Sequence, residues 1–289
     1  MPESLYLFCL ARASLLPPLA ETGLDGRSPL LLAVYRDLAA VCCAVSLEEF
    51  CGPGASSRFK DRFQAEPRLS RHQEVLQTVM RHSPVLSVRS GTLIPSREQL
   101  VKILQVHHRE VVRFLEEVAG QDEWAVQGWL SRAKALKVPL TARLAWEPRR
   151  LAQLAPGRRS LGERPLESEV EQEQRGWIRQ ACRELAAALQ DCALHCRNHP
   201  LPPKSGNGDG REGVVNWAFM VPRAAVGAFK FHIEAANRRH RASGLVFECF
   251  GPRPPYSFSP ALPWMPFDPP RSQACIQHEA NKPRWFQSG

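Results

Sequence analysis

The residues whose types and spacing could do chemistry lie between positions 192 and 213. Cys192, His195, Cys196 and His199 stand at i, i+3, i+4 and i+7, which on a helix puts four potential zinc ligands on one side. A structural reading competes: both cysteines continue the apolar line of the same helix, and one straight face does not easily wrap a tetrahedral ion. Gly208-Asp-Gly-Arg-Glu-Gly213 matches a phosphate-cradling glycine pattern, yet such a loop follows a strand and opens a helix, whereas this one precedes a predicted strand. We read it as a flexible helix-to-strand connection. His107 and His108 diverge by about 100° on a helix and cannot chelate one ion, so they belong at the edge of a packed face. No nucleophile elbow, Walker-type loop, His-Glu-x-x-His or paired-carboxylate motif occurs. The expectation is a non-enzymatic protein with no catalytic residue, metal, cofactor or small-molecule substrate.

Any such residues need elements to hold them, and 289 residues with 44% hydrophobic and 23% charged residues are enough for one large or two ordinary cores. No run of eighteen apolar residues is present, so no membrane span is expected. Leu5 to Leu10 is apolar but follows Glu3 and is too short for a good signal peptide. The nine cysteines have no small-domain disulfide spacing and suit reduced, buried thiols. Together these features read as cytosolic. Net charge is +9, of which residues 1–120 carry +1 and residues 121–289 carry +8. A basic half fits nucleic acid, an acidic protein partner or an arginine-rich genome; the arginines are dispersed, without the dense block that nucleic-acid recognition favours.

The first 120 residues read as strand, strand, helix, strand, helix. Leu5 to Leu10 is one strand, and Leu30 to Leu38 with Val41 to Val45 is a second apolar block. Ser70-Arg-His-Gln73 fits a capping box opening a helix that ends before Pro84. Val85 to Leu93 is a strand, and Ser96-Arg-Glu-Gln99 caps one long helix ended by Gly120. Trp124 to Leu130 opens a second domain, a long helix spans Leu166 to His199, and Pro200, Pro202 and Pro203 end it. Val214 to Val221, Arg223 to Arg241 and the segment after Gly244 form a strand-helix-strand unit, read as two parallel neighbours with a right-handed crossover. The fold class is therefore α+β with two domains, 1–120 and 121–258, the second a modified ferredoxin-like sandwich. The Pro- and Trp-bearing tail, 259–289, has no defensible period and is expected to be poorly ordered.

The last strand places Leu245, Phe247 and Cys249 on one face and Val246, Glu248 and Phe250 on the other. It then meets Gly251-Pro-Arg-Pro-Pro-Tyr-Ser-Phe258, whose prolines forbid a continuing ladder. This string resembles the C-terminal signature of the gas vesicle protein L/F family, usually Gly-Pro-Trp-Pro-Pro-Tyr-Ser-Phe. Val85-Leu-Ser-Val-Arg-Ser-Gly-Thr92 is similar to that family's Val-Leu-Pro-Val-Arg-Phe-Gly-Thr, with Arg89, Gly91 and Thr92 retained. Leu5-Tyr-Leu-Phe, Asp37-Leu-Ala-Ala-Val, His72-Gln-Glu-Val-Leu, Pro156-Gly-Arg-Arg-Ser-Leu161 and Asn216-Trp-Ala-Phe-Met-Val221 resemble further family blocks in order over residues 5–258. Ser87, Ser90, Ser160 and Arg253 depart from the family pattern.

The resemblance implies a non-enzymatic accessory protein of gas vesicle formation, cytoplasmic or on the vesicle, that binds the shell-forming protein and other accessory proteins. A subunit with a continuous apolar face needs that face covered before assembly. The family-motif residues Arg89, Gly91, Thr92, Asn216, Gly251, Pro252, Pro254, Pro255 and Tyr256 are the candidate site. Gly251 to Tyr256 either fix the last strand against the body or touch a partner. Arg89 either pairs with a carboxylate such as Asp37 or Glu74 or faces a partner, and Asn216 satisfies local backbone groups. The rival reading is a basic ferredoxin-like nucleic-acid-binding module.

Overall fold

Apolar alternation along the first strand is interrupted once, and that interruption organises the first sheet. The protein's computed structural model describes residues 3–46, 62–135, 163–201 and 210–264. Strand β1 (Glu3–Arg12) pairs antiparallel with β3 (Leu38–Ser46), and the register slips at Phe8, between Leu7↔Cys42 and Cys9↔Val41. An extra residue in one strand shifts every later side chain to the other face. Tyr6 and Phe8 before the bulge, and Cys9 and Ala11 after it, consequently enter one core with Val75, Leu76 and Val79. Those three come from α1 (Arg62–Met80). The sheet runs β2-β3-β1-β4, with β2 at Leu31–Tyr35, β4 at Val85–Ser87, and β5 (Leu93–Ile94) also pairing β1. Helices α2 (Arg97–Val106) and α3 (His108–Glu117) pack on it as well. Leu7, Leu10, Leu100, Leu104 and Leu115 are fully buried.

The second sheet runs β7-β8-β6-β9, built from β6 (Gln121–Ser131), β7 (His195–Asn198), β8 (Arg211–Pro222) and β9 (Leu245–Arg253). Short α4 (Arg132–Ala135) and long α5 (Glu163–Gln190) lie between β6 and β7, and α6 (Val226–His240) joins β8 to β9. Alternate residues Trp124, Val126, Val215, Trp217, Phe219 and Phe247 form the core with Leu185 and Leu189 of α5 and Phe229 and Ile233 of α6. Phe219 meets Phe229 edge to face at 5.3 Å, a pairing worth about 1 kcal/mol beyond area burial. Packing is close enough that a Cβ at Gly128 would lie 2.6 Å from Val215 Cγ2. Gly244 turns the chain into β9 at φ +89°, where its carbonyl accepts Ser131 N–H at 2.8 Å.

By contact density the described residues divide into two units, 3–123 with 252–264, and 124–251. The C-terminal signature therefore groups with the N-terminal unit. No helix of the described residues is long and apolar enough to cross a membrane.

Several expectations need correction. The block from Leu30 to Val45 is a hairpin, its two-residue turn at Arg36-Asp37 using a left-handed Arg36 (φ +53°) that neither Gly nor Asn announced. Helix α1 starts at Arg62, so Ser70 lies inside it and caps nothing. The single helix expected after Ser96 is two, broken at His107, although Ser96 Oγ does accept Gln99 N–H at 3.2 Å. Helix α5 ends at Gln190, nine residues short of His199. β8 and β9 are not neighbours, because β6 lies between them. β9 itself runs to Arg253, two residues beyond the expected stop at Gly251.

Candidate functional site

The first motif folds into a tight turn after β4. Thr92 is buried, its N–H and Oγ1–H both donate to the Arg89 carbonyl, at 3.2 and 2.7 Å, and its own carbonyl accepts Leu7 N–H at 3.0 Å. Gly91 holds φ +95°, a region open to glycine at no steric cost, and its N–H points to Tyr6 Oη at 3.1 Å. Tyr6 Oη also lies 3.0 Å from Ser90 Oγ and 2.9 Å from Nδ1 of buried His72. With the imidazole neutral, the phenol donates to Nδ1 and accepts from Gly91 and Ser90, which uses its one proton and both lone pairs. Burial holds His72 neutral, its pKa pushed down to about 4 against a weaker upward pull from the Val88 backbone. Burial also raises Tyr6, opposed by its hydrogen bonds to Ser90 and Gly91. Ser90 is thus the hydroxyl that completes this network. Arg89 itself is exposed.

The second motif closes on a buried carboxylate. Glu123 is 1% exposed, and its two oxygens accept the N–H and the Oγ–H of Ser257, each at 2.8 Å. Pro254 and Pro255 are buried, and the Pro255 carbonyl accepts from Phe258 N, Ser259 N and Ser259 Oγ between 2.9 and 3.1 Å. Gly251, Pro252 and Arg253 are exposed. Tyr256 keeps 37% of its surface in solvent, while burial drives its pKa upward, reinforced by Cys9, Tyr6 and Glu123 and opposed by Arg253. Beyond the signature, Leu262 is buried.

Asn216, on β8, donates from Nδ2 to the Pro200 carbonyl at 2.7 Å, tying β8 to the chain that follows β7. Asp37 takes Arg12 and, at 2.6 Å, His108 Nε2, while Glu74 takes Arg71 at 2.7 Å. Arg12 also reaches Glu116 at 2.8 Å. Burial raises the Asp37 carboxyl, but hydrogen bonds from His108 and from its own backbone, with the Arg12 guanidinium nearby, hold it below its usual value. His107 bonds Glu110 instead, at 3.0 Å, so the two histidines serve different carboxylates.

The four-ligand face fails as drawn. His195 and Cys196 are consecutive residues of β7 and point to opposite faces, and Cys192 lies between α5 and β7. Among the described residues, no group of three or more His, Cys, Asp or Glu side chains is arranged to hold a metal. Of the glycine motif, Gly210 precedes β8 and Gly213 lies within it, while residues 202–209 lie outside the described residues, as does Ser160. The residues that sequence reasoning missed are Tyr6, His72 and Glu123. Glu123 carried a signal: it is an acid beside the apolar run Trp124-Ala-Val126 on one strand.

Residues 4–260 match the family described as Gas vesicle synthesis protein GvpL/GvpF. No curated protein matches the chain in sequence. The structure is similar to the crystal structure of gas vesicle protein GvpF from Microcystis aeruginosa, at a TM-score of 0.63 and 16% identity over 89% of this chain and 99% of that one. It is similar also to GvpF from Anabaena sp. PCC7120, with TM-score 0.63 and 16% identity over 90% of this chain and 97% of the other.

Proposed function

Because the chain belongs to the gas vesicle synthesis protein GvpL/GvpF family, we propose that it is a non-enzymatic accessory protein that binds the hydrophobic shell protein during vesicle assembly. The observation that carries this reading is the family match across residues 4–260, which takes in both motifs and both sheets. The role is chaperone-like or nucleating, in the cytoplasm and at the vesicle, and extends to other accessory proteins. The motif residues support it indirectly. Gly91 and Thr92 build the turn that meets Tyr6, and Pro254 and Pro255 are buried beside the Ser257 that bonds Glu123, which leaves exposed Gly251 and Pro252 as positions suited to a partner.

We read the second unit as a modified ferredoxin-like sandwich. Its β-α-β-β-α-β order and the strand order β7-β8-β6-β9 support this. Its sheet edges favour capture of a helix over addition of a strand. Asn237 of α6 takes both the N–H and the carbonyl of Phe247 on β9, at 2.7 and 2.8 Å, and β7 has only four residues.

The test is co-expression of the full chain with the shell subunit and co-purification in moderate and high salt. Capture in both salts is expected for an apolar contact. Capture of nucleic acid in its place, lost steeply as salt rises, would reverse the reading in favour of the basic module.

A further inference from the structure

The outward face of α6 carries an apolar stripe that the fold leaves uncovered. Phe229 and Ile233 turn into the core, while on the opposite side Ala228 and Phe231 are exposed and Ala235 is half-buried, at spacings of three and four residues. Phe231 keeps 59% of its surface in solvent. A Cβ at Gly227 would meet nothing within 4 Å, so the space beside the ring is open. One large ring among small side chains offers a ridge and a groove to a second helix.

Charge marks the same element. Residues 223–241 hold five Lys and Arg against the single acid Glu234, a net +4 that is half of the +8 carried by residues 121–289. Arg238 and Arg239 in the last turn suit the negative end of the helix dipole. Arg223 and Lys230, in the first half, oppose that preference, so helix stability does not account for them.

We propose that this face docks an amphipathic helix of a protein partner, its apolar stripe over Ala228, Phe231 and Ala235 and its carboxylates beside the bordering cations. This rests on the reading that the protein binds another protein of vesicle assembly, and adds the surface and the partner's chemistry. Nucleic acid fits less well. Phosphate has no use for the stripe, whereas Arg238 and Arg239 stay largely exposed, so their surface contacts to the Phe231 ring at 5.7 Å and to Glu184 at 3.1 Å leave them within reach of carboxylates on a helix that covers the stripe. A membrane surface would call for several large apolar side chains, and the stripe has one.

The test titrates the full chain with a 20-residue helical peptide bearing a Leu/Ala stripe bordered by Glu, and with the same peptide bordered by Lys. A DNA duplex and phosphatidylglycerol vesicles are run alongside. The Glu-bordered peptide binds at least tenfold more tightly than the Lys-bordered one, and Ala228→Glu, Phe231→Ser and Arg241→Glu each weaken it tenfold or more at unchanged melting temperature. Equal binding of both peptides, no binding of the Glu-bordered one, indifference to Ala228→Glu, or displacement of the peptide by DNA or vesicles overturns the proposal. Peptide binding that persists while the shell subunit is not captured leaves this face standing and removes only the shell protein as its occupant.

Discussion

Two buried polar side chains decide how the motif residues are held, and each makes a prediction. Removing the Glu123 carboxylate leaves the N–H and hydroxyl of Ser257 without their acceptor. Glu123→Ala should cost about 2–3 kcal/mol in urea denaturation, and Ser257→Ala about 1 kcal/mol. His72 has its pKa lowered from 6.5 to about 4 by burial. The unfolded chain therefore binds a proton at higher pH than the folded one, so stability is fully present above pH 6.5 and falls as pH drops toward 4, by about 3 kcal/mol. Denaturation at pH 7 and pH 4.5 should show this loss in the wild type and a much smaller one in His72→Gln. Neither residue was legible as a site. Their partners, Tyr6 and Ser257, lie 66 and 134 positions away in sequence, and no local spacing reports so distant a hydrogen bond. Arg89, Gly91 and Thr92 drew notice through their resemblance to a family motif, and the turn they form, with Gly91 at positive φ, is local enough for a short string to carry.

At the scale of elements, periodicity read well where one face was buried and badly where two patterns overlapped. β6, β8, α6 and β9 alternate or repeat cleanly and were legible within a few residues. The end of α5 was not, because Cys192 and Cys196 continue the helical line while Cys196 and Asn198 equally fit the period of a strand. The break at His107 was hidden for a similar reason, since apolar residues flank it at helical spacing on both sides. There, the His108 ring reaches Asp37 in the β2–β3 turn, a contact that fixes α3 to the hairpin. The strand edge supplies the prediction for this scale. Asn237→Ala frees the backbone of Phe247 on an edge strand, which should destabilise the chain by about 1–3 kcal/mol and raise its light scattering on mild heating. Asn237→Asp, which keeps the acceptor for Phe247 N–H and loses the donor, should fall between.

For the whole molecule, the fold class and the two sheets followed from block order, whereas the return of the C-terminal signature to the first unit did not. Sequence proximity argues that a segment joins what precedes it, and here residues 252–264 group with the unit that ends at residue 123, across the intervening 128. A chain ending at Gly251 should therefore be weakened first in its N-terminal unit. Limited proteolysis is expected to cut within residues 1–123 sooner than in the full chain, and adding a peptide of residues 252–264 should restore protection. Equal cleavage in both chains would separate the signature from the stability of that unit. The same arrangement sets a schedule during synthesis. The ribosome finishes Glu123 and then makes 128 more residues before Pro252 appears, which at 5–20 residues per second is roughly ten seconds. Over that interval Glu123 has no Ser257 to meet, so the N-terminal unit waits with all its strands made and one buried carboxylate unanswered.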